Sequence, residues 1–440
     1  MISATNLFND LVSKITEAGR SITGVTTISS INLETLCEYL LTGKGEATGI
    51  AIAREILGRY KHLDNEGKHA FFKTICDEFG SDQQKLEQAF SEWKAKGITA
   101  ARQIHFASEP KSIELIRRLN RVKGATSQLV EMRAELLGFI KNDPELKPLD
   151  DDFKHLFSSW FNRGFLELRS ISWSTSAEIL ERIIKYEAVH EIQGWDDLRR
   201  RVIEKDRRLY AYFHPAMNDE PLIFVEVALV DGIPPSIQPI LAARREAIDP
   251  KSADTAAFYS ISNCQPGLRG ISFGNFMIKK AVMELQREFP AIKNFVTLSP
   301  IPGLHNWAEQ EINTPSGLLG ETQLDYLKKI ITDNIQPGNK DEANLLREIT
   351  AIYLVKARTP SGSIVDPVAR FHLGNGACLK HIHANANSNQ QGIWNAWGMM
   401  VNYDYKLQDI ERNHEAFANN NEVIHSSDVQ ALIKKGHKNV

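Results

Sequence analysis

The chain has 440 residues, of which 42% are hydrophobic and 24% are charged, and its formal net charge at pH 7 is -3. At about 150 residues per domain this length fits two or three domains, and we take two as the working number. The composition excludes a largely disordered chain, and the near-neutral charge gives no global electrostatic case for a nucleic-acid partner, which usually needs a basic face.

The four cysteines are scattered, without the CxxC spacing that is typical of zinc sites or of a disulfide framework. Their pattern therefore indicates a reducing compartment. The first residues lack the apolar core of a secretory signal, and no run of about 20 apolar residues predicts a membrane span. We expect a cytoplasmic protein without a membrane partner.

The first part of the chain has the periodicity of helices. Apolar residues recur there at three- and four-residue spacing in the segments 33–41, 50–60, 84–93 and 112–122. A polar stretch with two prolines, residues 143–152, then breaks the pattern. The sequence thus predicts an all-α helical bundle over residues 1–148 and a second domain over residues 149–440.

The second part adds strands to further helical segments at 177–187 and 195–204. Runs rich in β-branched and aromatic residues predict strands at 208–213, 221–230, 255–262 and 294–299. Between the last two, residues 274–289 carry an apolar residue at every fourth position, which predicts a helix. Strand, loop, helix and strand form a βαβ unit, whose two strands normally lie parallel. The predicted fold class is α+β.

A loop with three glycines, residues 265–274, joins the third of these strands to the helix. Backbone amides at a helix N-terminus favour phosphate oxygens, so the loop suits a pyrophosphate, but it equally suits a tight turn without a ligand. Its spacing is neither that of the P-loop nor that of the dinucleotide fingerprint. It is similar to the turn of the GNAT fold, which handles acyl-CoA. The resemblance implies that strands 255–262 and 294–299 splay apart around the pantetheine arm.

Ser299 ends the last predicted strand. Strand alternation places Phe295, Thr297 and Ser299 on one face, and Ser299 emerges at the carboxyl end, where open α/β sheets bind ligands. The alternative is a serine that only caps a proline turn. No GxSxG motif surrounds Ser299, which argues against a hydrolase nucleophile.

His372 lies in the last turn of a short predicted helix. Asp366 suits its N-cap, Pro367 its first position and Gly374 its end. A structural or solvent-facing histidine is the alternative interpretation. The helix dipole favours the imidazolium there and burial opposes it. The two effects must therefore be weighed against each other.

His381 and His383 are two residues apart and share one face of a predicted strand. A zinc site generally needs three or four ligands, and no third ligand is apparent in the sequence. We therefore expect a polar face at these histidines and no metal site.

Several strings together resemble the malonyl-CoA decarboxylase family. They run in order through FYSISNCQPGLRGISFGNFMIKK (258–280), ELQREFPAIKNFVTLSPIPG (284–303), ARFHLGNGA (369–377) and GMMVNYDY (398–405). The resemblance implies a helical N-terminal domain used in oligomer contacts and a GNAT-like mixed α/β catalytic domain. It implies Ser299 and His372 as the catalytic pair and Tyr405 as an active-site tyrosine. The implied CoA-binding loop consists of Arg269, Gly270, Ile271, Ser272, Phe273, Gly274 and Asn275.

The implied reaction converts malonyl-CoA to acetyl-CoA and CO₂, a step of fatty acid metabolism. No cofactor is expected, because the thioester is itself the electron sink. His372 then protonates the α-carbon, and Ser299 orients the leaving carboxylate or the thioester, or relays a proton. The substrate carboxylate should favour the charged form of His372 once bound, so we expect kcat to fall as pH rises through about 7 to 8. Animal members have a glutamate where this chain has Ser272.

We also expect a bacterial enzyme and a homo-oligomer, either a dimer or a tetramer. A GNAT-type N-acyltransferase that uses acetyl-CoA is the alternative function, and an acyl-CoA sensor without catalysis is a third. Release of CO₂ from malonyl-CoA without any acceptor separates the first function from the other two.

Overall fold

The structure, a computed structural model, describes residues 31–43, 45–271, 277–333 and 336–436. These residues form two compact units. The first contains 31–166, 214–220 and 265–271, and the second contains the remaining described residues. Over the described ranges, we find no helix whose length and apolar character would allow it to span a membrane.

The first unit consists of helices, as predicted. In chain order they are α1 (Leu33–Thr42), α2 (Glu46–Lys61), α3 (Asn65–Glu78), α4 (Gln83–Lys96), α5 (Ala101–Ser108), α6 (Lys111–Leu119), α7 (Ala125–Phe139) and α8 (Lys147–Trp160). Local signals set their ends: Asp82 accepts a hydrogen bond from the Lys85 amide before α4, and Gly97 ends that helix at a φ of 67°. α6 buries Ile113, Ile116 and Leu119 at helical spacing.

A buried arginine on α7 joins three segments of the first unit. The side chain of Arg133 is fully buried, and its Nε donates to Asp150 on α8 at 2.9 Å. Its other nitrogens donate to the carbonyls of Gly267 and Arg269 at 2.5 and 2.9 Å. A Cβ at Gly267 would lie 1.8 Å from the Val130 carbonyl oxygen, so only glycine fits there. The loop 265–271 is thereby held against the helices of this unit.

The break predicted after residue 148 falls at the start of α8, which belongs to the first unit. Pro148 sits in the first turn of α8, where a missing N–H costs nothing. The prolines of this stretch therefore begin a helix, and the boundary between the units lies at residue 166.

The second unit is built on a mixed sheet. Its strands are β1 (Glu167–Ile171), β2 (Arg207–Phe213), β3 (Pro221–Val230), β4 (Thr255–Asn263), β5 (Asn294–Thr297), β6 (Ser299–Pro300), β7 (Cys378–His383) and β8 (Met400–Asp404). The strand order is β1-β2-β3-β4-β5-β8-β6, and β7 also pairs with β8.

Helices accompany this sheet along the chain. They are α9 (Ala177–Tyr186), α10 (Trp195–Ile203), α11 (Gln238–Leu241), α12 (Met277–Glu288), α13 (Leu304–Asn313), α14 (Glu321–Asp333), α15 (Lys340–Lys356), α16 (Pro367–Gly374), α17 (Gln390–Ala396), α18 (Ile410–Asn420) and α19 (Ser427–Gly436). One apolar cluster packs α9 and α10 against β2, through residues such as Ile183, Leu198 and Leu209.

The predicted βαβ unit is confirmed. β4 and β5 are parallel, with residues 255–258 opposite 294–297, and α12 connects them. All other paired strands of the sheet are antiparallel. The α+β fold class, a helical region followed by a mixed sheet domain, is therefore correct.

The parallel strands separate at their carboxyl ends. Phe258 and Thr297 form the last pair of β4 and β5. Beyond this pair β4 remains paired with β3, while the segment after β5 forms β6 and pairs with β8. A register shift near Glu226 leaves Tyr259 without an opposite residue, as in a β-bulge. The two strands thus enclose a gap, as the resemblance to the GNAT fold implies.

Candidate active site

Ser299 and His372 are brought to the same place by two turns with a common anchor. Ser299 lies on β6, and Gly303 follows in the turn after it. Asp366, the N-cap of α16, accepts hydrogen bonds from the amides of Val368 and Ala369. Its other oxygen accepts from the Gly303 amide at 3.3 Å. One buried carboxylate therefore ties the turn after Ser299 to the helix that carries His372.

A chain of hydrogen bonds runs through the imidazole of His372. Its Nε2 lies 3.0 Å from the Ser299 Oγ, and its Nδ1 lies 2.8 Å from the Tyr405 hydroxyl. All three side chains are buried. The ring of Tyr403 stacks on the imidazole, with centroids 4.5 Å apart and an interplanar angle of 24°. The structure thus brings together the three residues that the resemblance singled out.

The environment of His372 decides between the two opposing influences on its pKa that the sequence analysis named, the helix dipole and burial. Burial lowers the pKa of His372 to about 3, and in the described residues no carboxylate is hydrogen-bonded to it. A helix C-terminus offers at most about 2 kcal/mol, or roughly 1.5 pKa units, whereas complete desolvation opposes it with more. The imidazole is neutral without substrate. Burial likewise raises the pKa of Tyr405 well above its usual value, so the phenol keeps its proton.

A cavity of about 230 Å³ opens in front of Ser299 and His372. It occupies the gap between the separating strands, and its walls come from Val189, Phe258, Tyr259, Ile261, Asn263, Leu298, Ser299, Pro300, Pro367, Val368, Phe371 and His372. Among these described wall residues there is no lysine, arginine or carboxylate. A ligand group in this cavity would meet mostly apolar surface and a few neutral polar groups.

The residues predicted to bind CoA are described only in part. Arg269, Gly270 and Ile271 belong to the first unit, where Arg133 holds the Arg269 carbonyl. Gly270 has a φ of 77°, a conformation that favours glycine. Four further predicted residues lie outside the described residues: Ser272, Phe273, Gly274 and Asn275.

His381 and His383 lie on β7 with their rings 5.9 Å apart. Nδ1 of His381 lies 3.2 Å from a carboxylate oxygen of Asp428, and Nε2 of His383 lies 2.6 Å from the Asn402 Oδ1. Within the ranges that the structure describes, no three side chains of His, Cys, Asp or Glu are placed to hold a metal ion. Each histidine has a polar partner of its own.

The sequence analysis did not assign two residues to this site. Tyr403 supports the imidazole face, and Asp366 was assigned only as a helix cap although it also binds the Gly303 amide. Strand alternation offered a signal for Tyr403, since it is two residues before Tyr405 on one strand face. No local signal connects Asp366 with Gly303, because the two are 63 residues apart.

A buried, hydrogen-bonded Ser–His–Tyr chain that faces a cavity has the features of an enzyme that moves protons by general acid–base catalysis. Comparison with known proteins gives the family. The family model "Malonyl-CoA decarboxylase C-terminal domain" matches residues 164–440, and the corresponding N-terminal domain model matches residues 79–161. The chain belongs to the malonyl-CoA decarboxylase family.

Individual relatives agree with this assignment. The mitochondrial malonyl-CoA decarboxylase of Anser anser anser is 31% identical over 423 residues, which cover 88% of this chain and 84% of the relative. The crystal structure of malonyl-CoA decarboxylase from Rhodopseudomonas palustris is 45% identical with a TM-score of 0.86, covering 91% of this chain and 98% of that one. The Agrobacterium vitis structure is 47% identical with a TM-score of 0.85, covering 91% and 99%.

The buried neutral His372 predicts a loss of stability in acid. The unfolded imidazole takes up a proton near pH 6.5, whereas the folded one does so only near its pKa of about 3. The unfolded state therefore binds more protons between these values, and the free energy of unfolding falls as pH decreases, by up to about 1.4 kcal/mol per pH unit for this residue. Urea unfolding at pH 7, 5.5 and 4.5 should show a shallower pH slope for His372→Gln than for the native chain. His62→Gln, at an exposed position, is the control, and equal slopes for His372→Gln and the native chain would contradict the prediction.

Proposed function

We propose that this protein is a carboxy-lyase that decarboxylates malonyl-CoA to acetyl-CoA and CO₂. The Ser299–His372 hydrogen bond, at the wall of a cavity whose described wall residues include no lysine, arginine or carboxylate, is the observation that carries the proposal. Family membership supports it, since the relatives compared above carry this activity in their names. The reaction needs no cofactor, because the thioester accepts the electron pair that the departing CO₂ leaves behind.

The mostly apolar walls of the cavity favour loss of CO₂. A malonyl carboxylate that leaves water for this mostly apolar space exchanges its hydration for groups that are neutral in the free enzyme, and among the described wall residues only His372 can become a cation beside it. Breaking the carbon–carbon bond moves that charge to the thioester oxygen as an enolate and releases neutral CO₂. Desolvation of the reacting carboxylate thereby lowers the barrier relative to water.

The substrate itself supplies the counter-charge that His372 lacks. An opposite charge within a few ångströms favours the protonated imidazole, so binding of the malonyl carboxylate raises the His372 pKa and takes up one proton. After decarboxylation, Ser299 gives its hydroxyl proton to the α-carbon and receives the Nε2 proton of His372 in return. The carboxylate and the imidazolium disappear together, and the cavity is left without charge. The Tyr405 hydroxyl can both donate and accept a hydrogen bond, so it can bond to Nδ1 whether or not Nδ1 carries a proton.

We further propose that residues 269–275 bind CoA. Backbone amides near the start of α12 suit phosphate oxygens. The part of this loop that is described is held firmly, because the buried Arg133 donates to the carbonyls of Gly267 and Arg269. For localisation we propose the cytoplasm, which the four cysteines support because none of them forms a disulfide, as suits a reducing compartment.

The proposed assembly is a homo-oligomer, a dimer or a tetramer, that forms through the helical unit. α4 and α5 present large apolar side chains to solvent, with Ile98 between them 85% exposed and Phe106 67% exposed. Phe90 and Trp93 on α4 add an aromatic pair with centroids 5.6 Å apart. Apolar area of this kind is usually covered by a partner, and a second copy of the chain is the partner we propose.

The catalytic pair can be tested by release of CO₂ from malonyl-CoA in the absence of any acyl acceptor. Ser299→Ala and His372→Asn should each lower kcat by about 10²-fold or more while KM changes little, because they remove proton transfer and leave the loop 269–275 intact. Ser252→Ala, at an exposed serine, is the control. Normal turnover of Ser299→Ala would remove Ser299 from the mechanism, and a native enzyme that needs an amine acceptor would favour the N-acyltransferase.

The pH dependence tests the uptake of a proton with the substrate. The pKa of free His372 is about 3, so between pH 6 and 8 the unliganded imidazole is unprotonated and each catalytic event begins by taking a proton from solvent. We expect kcat/KM to rise about tenfold for each unit that pH falls from 8 to 6. In the complex the substrate carboxylate raises this pKa, so kcat should stay constant to a higher pH than kcat/KM does. A kcat/KM that does not change over this range would contradict the mechanism.

Removal of the exposed apolar side chains should dissociate the oligomer. In Ile98→Glu/Phe106→Glu, buried carboxylates would oppose contact between subunits, and light scattering at micromolar concentration should show a smaller mass than for the native chain. Met283→Glu is the control, because Met283 is another large apolar side chain at the surface, 49% exposed, but lies on α12 in the second unit. A native chain that is monomeric at this concentration would refute the proposed assembly.

A further inference from the structure

Thr297, the last residue of β5, contacts the catalytic chain from behind. Its side chain is fully buried, and its Oγ1 accepts a hydrogen bond from the Ser299 hydroxyl at 2.9 Å. The same oxygen accepts the backbone N–H of Tyr403 at 3.1 Å. A hydroxyl oxygen has two acceptor positions, and both are occupied here.

The proton of Ser299 decides the direction of the whole chain. A serine hydroxyl has one proton, and because Ser299 donates it to Thr297, it has none to donate to His372. The 3.0 Å contact between Ser299 and His372 is then a bond from Nε2–H to the serine oxygen. Nδ1 is left as an acceptor, and the Tyr405 phenol donates to it. The direction of the Ser299–Thr297 bond therefore sets the direction of the whole chain, which runs from Tyr405 through His372 and Ser299 to Thr297.

β8 holds Thr297 on both its side chain and its backbone. Besides the Tyr403 amide, the Asn402 Nδ2 donates to the Thr297 carbonyl at 2.8 Å. The Asn402 Oδ1 in turn lies 2.6 Å from Nε2 of His383, which sets the orientation of that amide. Thr297 is thus fixed as an acceptor.

We propose that Thr297 is a positioning residue that keeps His372 in the Nε2–H tautomer, with its proton directed at Ser299. In this tautomer a proton lies next to the serine that faces the cavity, ready for transfer along the chain. The effect of Thr297 on the tautomer stands on the hydrogen bonds alone, whereas its effect on turnover rests on the decarboxylase function proposed above.

The tautomer can be measured by ¹⁵N NMR of ¹⁵N-histidine-labelled full-length protein at pH 7.5, with His372→Asn identifying the His372 signal. The native chain and Thr297→Ser should show a protonated Nε2 and an unprotonated Nδ1. Thr297→Val removes the acceptor of the Ser299 proton. The Ser299 hydroxyl should then donate to Nε2 of His372, and the imidazole should carry its own proton on Nδ1. Thr350→Val is the control, because it removes another buried threonine hydroxyl, one that bonds only to the Leu346 carbonyl. Thr297→Ala carries the same test if Thr297→Val does not fold.

Kinetics provide the second measurement. Thr297→Val should lower kcat about tenfold or more with KM within about twofold, as expected for loss of a residue that orients a catalytic group. Thr297→Ser should restore kcat, and Thr350→Val should leave it unchanged. An Nε2–H tautomer retained in Thr297→Val overturns the proposal, and so does an unchanged kcat in that variant. A native chain without decarboxylase activity would refute the proposed function, while the NMR result would still decide the role of Thr297.

Discussion

The burial of an imidazole without a carboxylate partner is the constraint on which this site depends. His372 is hydrogen-bonded to two hydroxyl groups, those of Ser299 and Tyr405, and burial lowers its pKa far below the ordinary value. In a Ser–His–Asp triad the carboxylate stabilises the imidazolium and so activates the serine as a nucleophile. Here a phenol occupies that position, so the resting site carries no such anion. In the mechanism we propose, the charge that completes the site arrives with the substrate and leaves as CO₂, and Ser299 passes on a proton without attacking the thioester.

The sheet explains how such a site can be both buried and open to a ligand. The paired residues of β4 and β5 end at Phe258 and Thr297, whereas β8, on the other side of β5, is paired with the chain that carries Ser299 both before and after this point. β8 also contributes the backbone N–H of Tyr403 to Thr297, and Tyr405 directly follows it. One strand therefore supports both ends of the hydrogen-bond chain, while the gap between β4 and the chain that carries Ser299 forms the cavity. Antiparallel pairing with β8 thus holds this chain in the sheet where its pairing with β4 ends.

The first unit shows a comparable use of one buried charged group. Arg133 is fully buried and is balanced by Asp150, and its remaining donors bind two carbonyl groups of the loop 265–271. A buried arginine is tolerated only when its charge is balanced and its N–H donors are hydrogen-bonded. The loop carbonyls therefore stabilise the buried Arg133, and Arg133 in turn holds the loop. The same unit also has uncovered apolar surface, at Phe106 on α5 and at Ile98 between α4 and α5.

The sequence by itself determined what depends on near neighbours. Helical periodicity, the Asp366 cap and the alternation of the strands depend on residues a few positions apart, and each was predicted from such spacing. Motif resemblance singled out Ser299, His372 and Tyr405. Only the tertiary structure decided how these residues act, because Ser299 and His372 are 73 residues apart. The sequence analysis left open the balance between the helix dipole and burial at His372, and the structure decides it in favour of burial for the same reason. A helix dipole can be inferred from one helix, whereas desolvation is the sum of all the elements packed around the ring, and no local pattern contains that sum.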